Sequence, residues 1–282
     1  MKRKQLTDKV RNLAQKMNVP AELIRRYYVL EKILELISTS KYKEKFMLKG
    51  GFLIGSYIGL KNRTTVDIDD SVRNMNLTKT EIFDIFQELF ATPTKDGIKF
   101  RIVDIKEIRE GDFYPGFRVQ VNYNVDGIKD GVKLDITTGD RVLPELVLHH
   151  HQLMFEDEKI EVYAYSIEQI IGEKLQTIFA RSVLNTRSRD YYDIYILTKF
   201  HSYEINYAKL RNSFFNTMES RKTVMDASEF EEILELIEAD KRQNELWEDY
   251  CKQHLYAQGI AFEEVLNAIY ELLNKINYGK GR

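Results

Sequence analysis

The chain has 282 residues, 43% of them hydrophobic and 30% charged, with a formal net charge of −2. That length can bury a substantial core in one large domain or two modest ones. No apolar run approaches the ~18 residues of a membrane span, and a single cysteine, Cys251, excludes an internal disulfide and a Cys-based zinc site. No apolar stretch follows the basic MKRKQLTDKV, so neither a secretory signal nor membrane association is expected, and a cytoplasmic protein is the simplest expectation.

Charge is unevenly spread. Residues 1–49 carry 13 Lys/Arg against 5 Asp/Glu, residues 50–165 carry 14 against 20, and residues 200–282 carry 10 against 15. A surface that attracts polyanions such as RNA is therefore expected at the N-terminal end. A solvated basic helix face accounts for the same excess.

In chain order, the periodicities predict helices over 5–17 and 20–38. Pro20 opens the second, and Leu23, Tyr27, Leu30, Ile33, Leu34 and Ile37 stripe it. Phe46-Met47-Leu48 reads as a short strand, broken by Lys49-Gly50-Gly51 and followed by a short helical piece with Phe52, Leu53 and Ile54. The run Val66 to Val72 alternates apolar and polar and reads as a strand; a helix is expected at about 78–90. Over 98–137 the pattern is that of antiparallel strands. Phe117, Val119, Val121, Tyr123 and Val125 alternate there, and Asp126-Gly127 and Asp130-Gly131 supply turns. Beyond 165 the chain reads as helical. Ser166 and Gln169 form a capping box for a helix running to about Arg181, and others are expected at 187–200, about 227–254 and 260–275. The expected class is α+β, with a mixed N-terminal half, 1–164, and a helical C-terminal half, 165–282.

The chemistry concentrates in a few places. Asp67 and Asp69 lie two apart on a predicted strand and so share one face, and Asp135 occupies the polar face of a second alternating run, Val132 to Thr137. Three carboxylates converging from two strands suit Mg²⁺, which favours a few carboxylates plus substrate phosphates over an all-protein cage. An acidic pair in strand-forming sequence opposes β-propensity and needs a reason. Two glycine pairs are candidates for a phosphate-binding turn at a helix N-terminus. One is Lys49-Gly50-Gly51, which adds a cation; the other is Gly55-Ser56, which adds a hydroxyl and stands ten residues before Asp67. Arg63 joins them as a nucleotide-binding candidate.

Lys174 falls inside the apolar stripe of Ile167, Ile170, Ile171, Leu175 and Ile178, so it must snorkel or find an anion, and a triphosphate would satisfy it. Asp190, on the face of Ile194 and Leu197, is available to orient Lys174 or a nucleotide, with Asp193 close behind. His149-His150-His151 cannot all face one way and reads as a surface loop. Tyr191, Tyr192 and Tyr195 read as helix packing in preference to base stacking.

Together FMLKGGFLIGSYIGL, the G-S-x₁₀-D-x-D spacing, VKLDIT and YSIEQIIGEKLQTIFARSVLNTRSRDYYDIYIL resemble the AbiEii family of nucleotidyltransferase toxins over about residues 46–200. That family lies in the DNA polymerase β-like superfamily, with the MenT toxins. Phe52 departs from the pattern, standing where the family often has a small hydroxyl residue, which moves the expected hydroxyl contact to Ser56. The resemblance implies a polymerase β-like nucleotidyltransferase core with a helical C-terminal domain. It implies the toxin of a type IV toxin–antitoxin or phage abortive-infection pair, with a cognate antitoxin. In site terms, Asp67 and Asp69 would hold Mg²⁺, Asp135 would assist deprotonation of the attacking hydroxyl, and Gly55 and Ser56 would hold phosphates. Lys174 and Asp190 would complete the nucleotide site. The reaction implied is transfer from a nucleoside triphosphate, with GTP the associated nucleotide, to an RNA such as the tRNA 3′ end. The rival expectations are nucleotidylation of a small molecule such as an aminoglycoside, and a nucleotide-binding regulator without turnover. No apolar stripe is left over, so a monomer is expected.

Overall fold

The computed structural model describes residues 3–64, 67–72, 78–108, 116–125, 127–138 and 146–276. These form two compact units, one drawn from residues before 141 with Leu146–Ala164, the other holding the described residues from Tyr165 onward.

The first unit opens with α1 (Arg3–Met17) and α2 (Ala21–Ser38). Helix α1 buries Leu6, Val10 and Ala14 at helical spacing and exposes Lys4, Lys9, Arg11 and Lys16. Helix α2 is buried on nearly every side, Glu31 and Lys32 included, where a single stripe was expected. Lys32 is satisfied there by Glu35 at 2.8 Å, Asp96 at 3.3 Å and Glu156.

Then follow β1 (Phe46–Lys49), α3 (Gly50–Ile58), β2 (Asp67–Val72), α4 (Lys79–Ala91), β3 (Lys99–Ile108), β4 (Gly116–Val125), β5 (Ile128–Thr138), β6 (Val147–Gln152) and β7 (Lys159–Ala164). The strands make one sheet in the order β3-β4-β5-β2-β1-β7-β6. The antiparallel expectation for 98–137 holds for β3, β4 and β5, while the other edge of β5 runs parallel to β2. Strand β1 is antiparallel to β2 and parallel to β7. Phe117, Val119, Val121, Tyr123 and Val125 of β4 and Val132, Leu134 and Ile136 of β5 are buried. Burying these alternate positions leaves Arg118, Lys133 and Asp135 on the opposite face.

The second unit is helical: α5 (Ile167–Arg181), α6 (Ser188–His201), α7 (Tyr207–Ser220), α8 (Ala227–Ala239), α9 (Lys241–Gln253) and α10 (Phe262–Lys275). Helix α7 falls in the stretch read as helical, though its bounds were not among those expected. The single helix expected over 227–254 is two, because Asp240 leaves the helical region (ψ 115°) and caps α9 by accepting from the Gln243 N–H at 2.9 Å. Phe179, Phe214 and Phe230 meet in the core, the closest ring pair 4.5 Å between centroids. Helices α5 and α7 approach closely at Gly172, where a Cβ would stand 2.7 Å from Ser213 Oγ and 3.0 Å from the Phe214 backbone nitrogen. Gly172→Ala is therefore expected to force the two helices apart and cost ~1–3 kcal/mol. Urea unfolding measures it, and an unchanged midpoint would argue against the close approach.

Candidate functional site

Strand β2 carries the acidic pair into the middle of the sheet. Its register sets Asp69 against Lys49 of β1 on one side and against Asp135 of β5 on the other. Strand β4 in turn sets Arg118 against Asp135. Arg118, Asp135, Asp69 and Lys49 thus occupy one lateral row across four adjacent strands, each step ~4.8 Å. Asp67 lies two residues along β2 from Asp69, on the same strand face. For β2 the backbone is described and the side chains are not.

Arg118 holds Asp135 in a bidentate pair, Nε to Oδ1 and Nη2 to Oδ2, both 2.7 Å. This two-pronged, charge-assisted geometry orients the carboxylate. Sequence reasoning missed Arg118, although a signal existed. Val125 and Ile128 close the β4–β5 hairpin, and counting back from that pair puts Arg118 opposite Asp135. Of the turn residues expected there, Asp126 lies outside the described residues, and Asp130-Gly131 is not a turn: both lie inside β5, paired with Tyr123 and Asn122, so the hairpin closes earlier than expected.

At the other end of the row Lys49 is buried, and its Nζ donates to Thr137 Oγ1 at 2.7 Å, two residues past Asp135 on β5. Gly50 follows with φ 67° and opens α3, a left-handed conformation that glycine adopts without strain. The strand-to-helix turn is therefore Lys49-Gly50-Gly51. Gly55-Ser56, expected as a second such turn, lies inside α3. Gly55 lets that helix pass the Arg63 carbonyl, since a Cβ would stand 2.8 Å from its oxygen. Arg63 itself is buried and donates from Nη1 to the Thr64 carbonyl at 2.6 Å.

The three histidines are on a strand, not in a loop. Alternation along β6 sends His150 outward, 3.7 Å from Glu161, and turns His149 and His151 toward α3. Ser56 Oγ lies 2.7 Å from both His149 Nε2 and His151 Nδ1. His151 Nε2 is 3.1 Å from Glu31 Oε2, which also accepts from the Met154 N–H at 2.8 Å. Among the described residues no His, Cys or acidic group forms a metal cage, and the two imidazoles close on a hydroxyl instead. Burial, with His151 and His150 nearby, pushes the His149 imidazole down to about 4.

In the second unit the anion that Lys174 requires is supplied by the protein. Its Nζ is 2.8 Å from Asp190 Oδ1 and 2.8 Å from Asp193 Oδ2, all three side chains being largely buried. Burial lowers the Lys174 pKa, but the two carboxylates raise it further, and the net shift is upward. The second Asp190 oxygen, Oδ2, is buried and lacks a hydrogen-bond partner among the described residues. Tyr192 packs on Tyr250 and Tyr256, and Tyr191 on Phe262, so these rings are core residues.

Much of the N-terminal positive charge is used inside the first unit. Besides Lys32, Lys41 pairs with Glu88 at 2.8 Å, Lys43 with Glu161 at 3.2 Å and Arg26 with Asp130 at 3.6 Å. Helix α1 keeps Lys4, Lys9, Arg11 and Lys16 exposed.

A seven-stranded mixed sheet with flanking helices, followed in the chain by a helical unit, makes this an α+β protein. The chain belongs to the AbiEii family, nucleotidyl transferase toxins of type IV toxin–antitoxin systems, whose sequence pattern matches residues 32–268. The match runs from inside α2 into α10, beyond the stretch that carried the resemblance. Membership implies a nucleotide substrate and a cognate antitoxin. Among solved structures, the chain is similar to a candidate nucleotidyltransferase from H. pylori, at 16% identity and TM-score 0.49, covering 94% of this chain and 100% of that one. It is similar to JHP933 from Helicobacter pylori at 17% identity and TM-score 0.49, covering 90% and 93%. An antigenic nucleotidyltransferase-like protein from Paracoccidioides brasiliensis matches at 16% identity and TM-score 0.42, covering 73% and 93%. No match is found among curated protein sequences. Among the described residues no helix is long and apolar enough to cross a membrane.

Unfolding frees His149 to its ordinary pKa of ~6.5, so between that value and about 4 the unfolded chain binds a proton that the folded chain refuses. Stability is then fully present above ~6.5 and declines as pH falls toward the folded value. His149→Asn should flatten the difference between urea midpoints at neutral and mildly acidic pH; an unaltered pH dependence would contradict the buried neutral ring. Lys174→Met leaves Asp190 and Asp193 buried without their cation and is expected to cost ~3–5 kcal/mol. Adding Asp190→Asn and Asp193→Asn should restore much of that loss, because no uncompensated charge remains. The ammonium's raised pKa makes its contribution full at any pH below ~10.4, the unfolded value, and lost only as pH climbs through the folded one.

Proposed function

We propose that the chain transfers a nucleoside monophosphate from a nucleoside triphosphate, GTP first among them, to the 3′-hydroxyl of an RNA, with tRNA as the acceptor. What supports this reading, beside family membership, is the row Arg118–Asp135–Asp69–Lys49 with Asp67 alongside. Carboxylates at adjoining register positions, bounded at both ends by cations, are a donor set that fits a hard divalent ion. Asp67, Asp69 and Asp135 would hold Mg²⁺, which when bound supplies charge neutralisation for the triphosphate.

The chain's own residues do the rest. Asp135, oriented by Arg118, accepts the proton of the attacking hydroxyl; the new phosphodiester forms at the α-phosphate and pyrophosphate leaves. Lys49 stiffens the β1 end of the row through Thr137, and the turn at Gly50 presents backbone N–H groups to phosphate. Lys174, Asp190 and Asp193 contribute to nucleotide binding. Catalysis on this account is positioning and electrostatics. Added nucleotides would block tRNA ends against aminoacylation and so arrest growth.

A small-molecule acceptor is the second reading. The observation in its favour is that Arg26, Lys32, Lys41 and Lys43 pair with acids of the same unit, which reduces the net positive charge offered to a polyanion.

Asp69→Asn is expected to lower triphosphate-dependent labelling of total tRNA by ~100-fold or more, while the melting temperature stays close to that of the wild type. Sequencing tRNA 3′ ends after brief expression should reveal added nucleotides for the wild type and none for the variant. Unaltered tRNA beside a labelled aminoglycoside would decide for the small acceptor.

A further inference from the structure

Three elements of the first unit bring a hydroxyl, an imidazole and a carboxyl into line, and one assignment of the protons satisfies all four contacts. In that assignment Glu31 Oε2 accepts both the Met154 N–H and the His151 Nε2–H, while its buried Oε1 lacks a hydrogen-bond partner among the described residues. With the hydrogen on Nε2, His151 Nδ1 is bare and accepts from the Ser56 hydroxyl at 2.7 Å. The Ser56 oxygen, its hydrogen thus directed, receives the N–H of His149 Nε2, also at 2.7 Å. Every donor has one acceptor. The result is a serine whose proton points at a base, whose base is oriented by a buried acid, and whose oxygen faces a second donor. Glu31 is fully buried and His151 nearly so, whereas Ser56 is partly exposed.

A helix needs no such apparatus merely to accommodate a serine, and a phosphate-contacting hydroxyl needs no base. Ser56 lies six residues along α3 from Gly50, ~9 Å at the helical rise, and Gly50 directly follows Lys49 at the end of the acidic row.

We propose that Ser56 is an acceptor in its own right, a site at which the protein nucleotidylates itself. This inference rests on the nucleotidyl-transfer reading above. Ser56 Oγ bonds to the α-phosphorus of a nucleoside triphosphate as the bond from that phosphorus to the bridging oxygen of the β-phosphate breaks. Pyrophosphate leaves with the electron pair, and the Ser56 proton passes to His151 Nδ1 and on to solvent. The product is a phosphodiester linking Ser56 to the nucleoside 5′-oxygen. His151 is the base, His149 donates to the serine oxygen, and Glu31 is a positioning residue that sets the His151 tautomer. The low pKa of His149 keeps that ring a neutral donor at pH 7.

The test uses the full chain with GTP and Mg²⁺, with and without total tRNA, read by intact mass, peptide mapping and tRNA 3′-end sequencing. Wild-type protein without RNA should gain one nucleoside monophosphate, mapped to Ser56, and Ser56→Ala should gain none. His151→Gln should slow labelling by ~100-fold or more, as loss of a general base does, with the GTP concentration for half-maximal rate unchanged. Glu31→Gln should slow it likewise while the chain stays folded. The mapping on wild-type protein stands whether or not any variant folds. Tailed tRNA with an unmodified Ser56, or an adduct at another residue, overturns this inference and leaves the functional reading intact. An adduct on Ser56 with untailed tRNA supports the inference and removes RNA as the acceptor. Neither adduct, tailing nor pyrophosphate release overturns both.

Discussion

The register of β2 between β1 and β5 is the constraint on which the rest of the first unit depends. Side chains alternate with period two, so a slip of one residue would carry Asp135 and Thr137 into the apolar layer and expose Leu134 and Ile136. The buried faces of β4 and β5 forbid that slip. With that face buried, the register of β2 sets Asp69 beside Asp135, an arrangement that like charges disfavour. In the register Arg118 and Lys49 stand on either side of the two aspartate positions, so each acidic position has a cationic one beside it. Burial of an apolar face thus creates the acidic one.

A related logic governs the buried charges. Lys174 is held by two aspartates, and Lys32 by three acids from separate parts of the chain. A cation taken from water loses its hydration, and only well-placed carboxylates make that tolerable. Such clusters specify an arrangement more than they add stability, because an apolar replacement of the whole cluster would cost little. For Lys174 the consequence is that simple truncation probes folding as well as chemistry.

Pairing of this kind also redistributes the charge that composition displays. Part of the basic excess of residues 1–49 meets the acidic excess of residues 50–165 in ion pairs, through Arg26, Lys32, Lys41 and Lys43. Helix α1 is different. Its apolar stripe faces inward and its lysines and arginine face water, so it keeps the charge that its sequence carries.

Local pattern determined a good deal without help. The strand at Asp67–Asp69, the β4–β5 hairpin, the helix of Lys174 and the place of Asp190 beside it were all legible, because periods of two and 3.6 are properties of neighbouring residues. The bounds of α7 and the break at Asp240 were not, since a capping aspartate inside a long amphipathic run looks like any other polar position. Only the tertiary structure decided that His149 and His151 close on Ser56 over Glu31, that Arg118 clasps Asp135, and that Gly55 serves packing rather than a turn. Those partners lie far apart along the chain, and sheet order and helix docking choose them, through the need to bury apolar faces without stranding a charge.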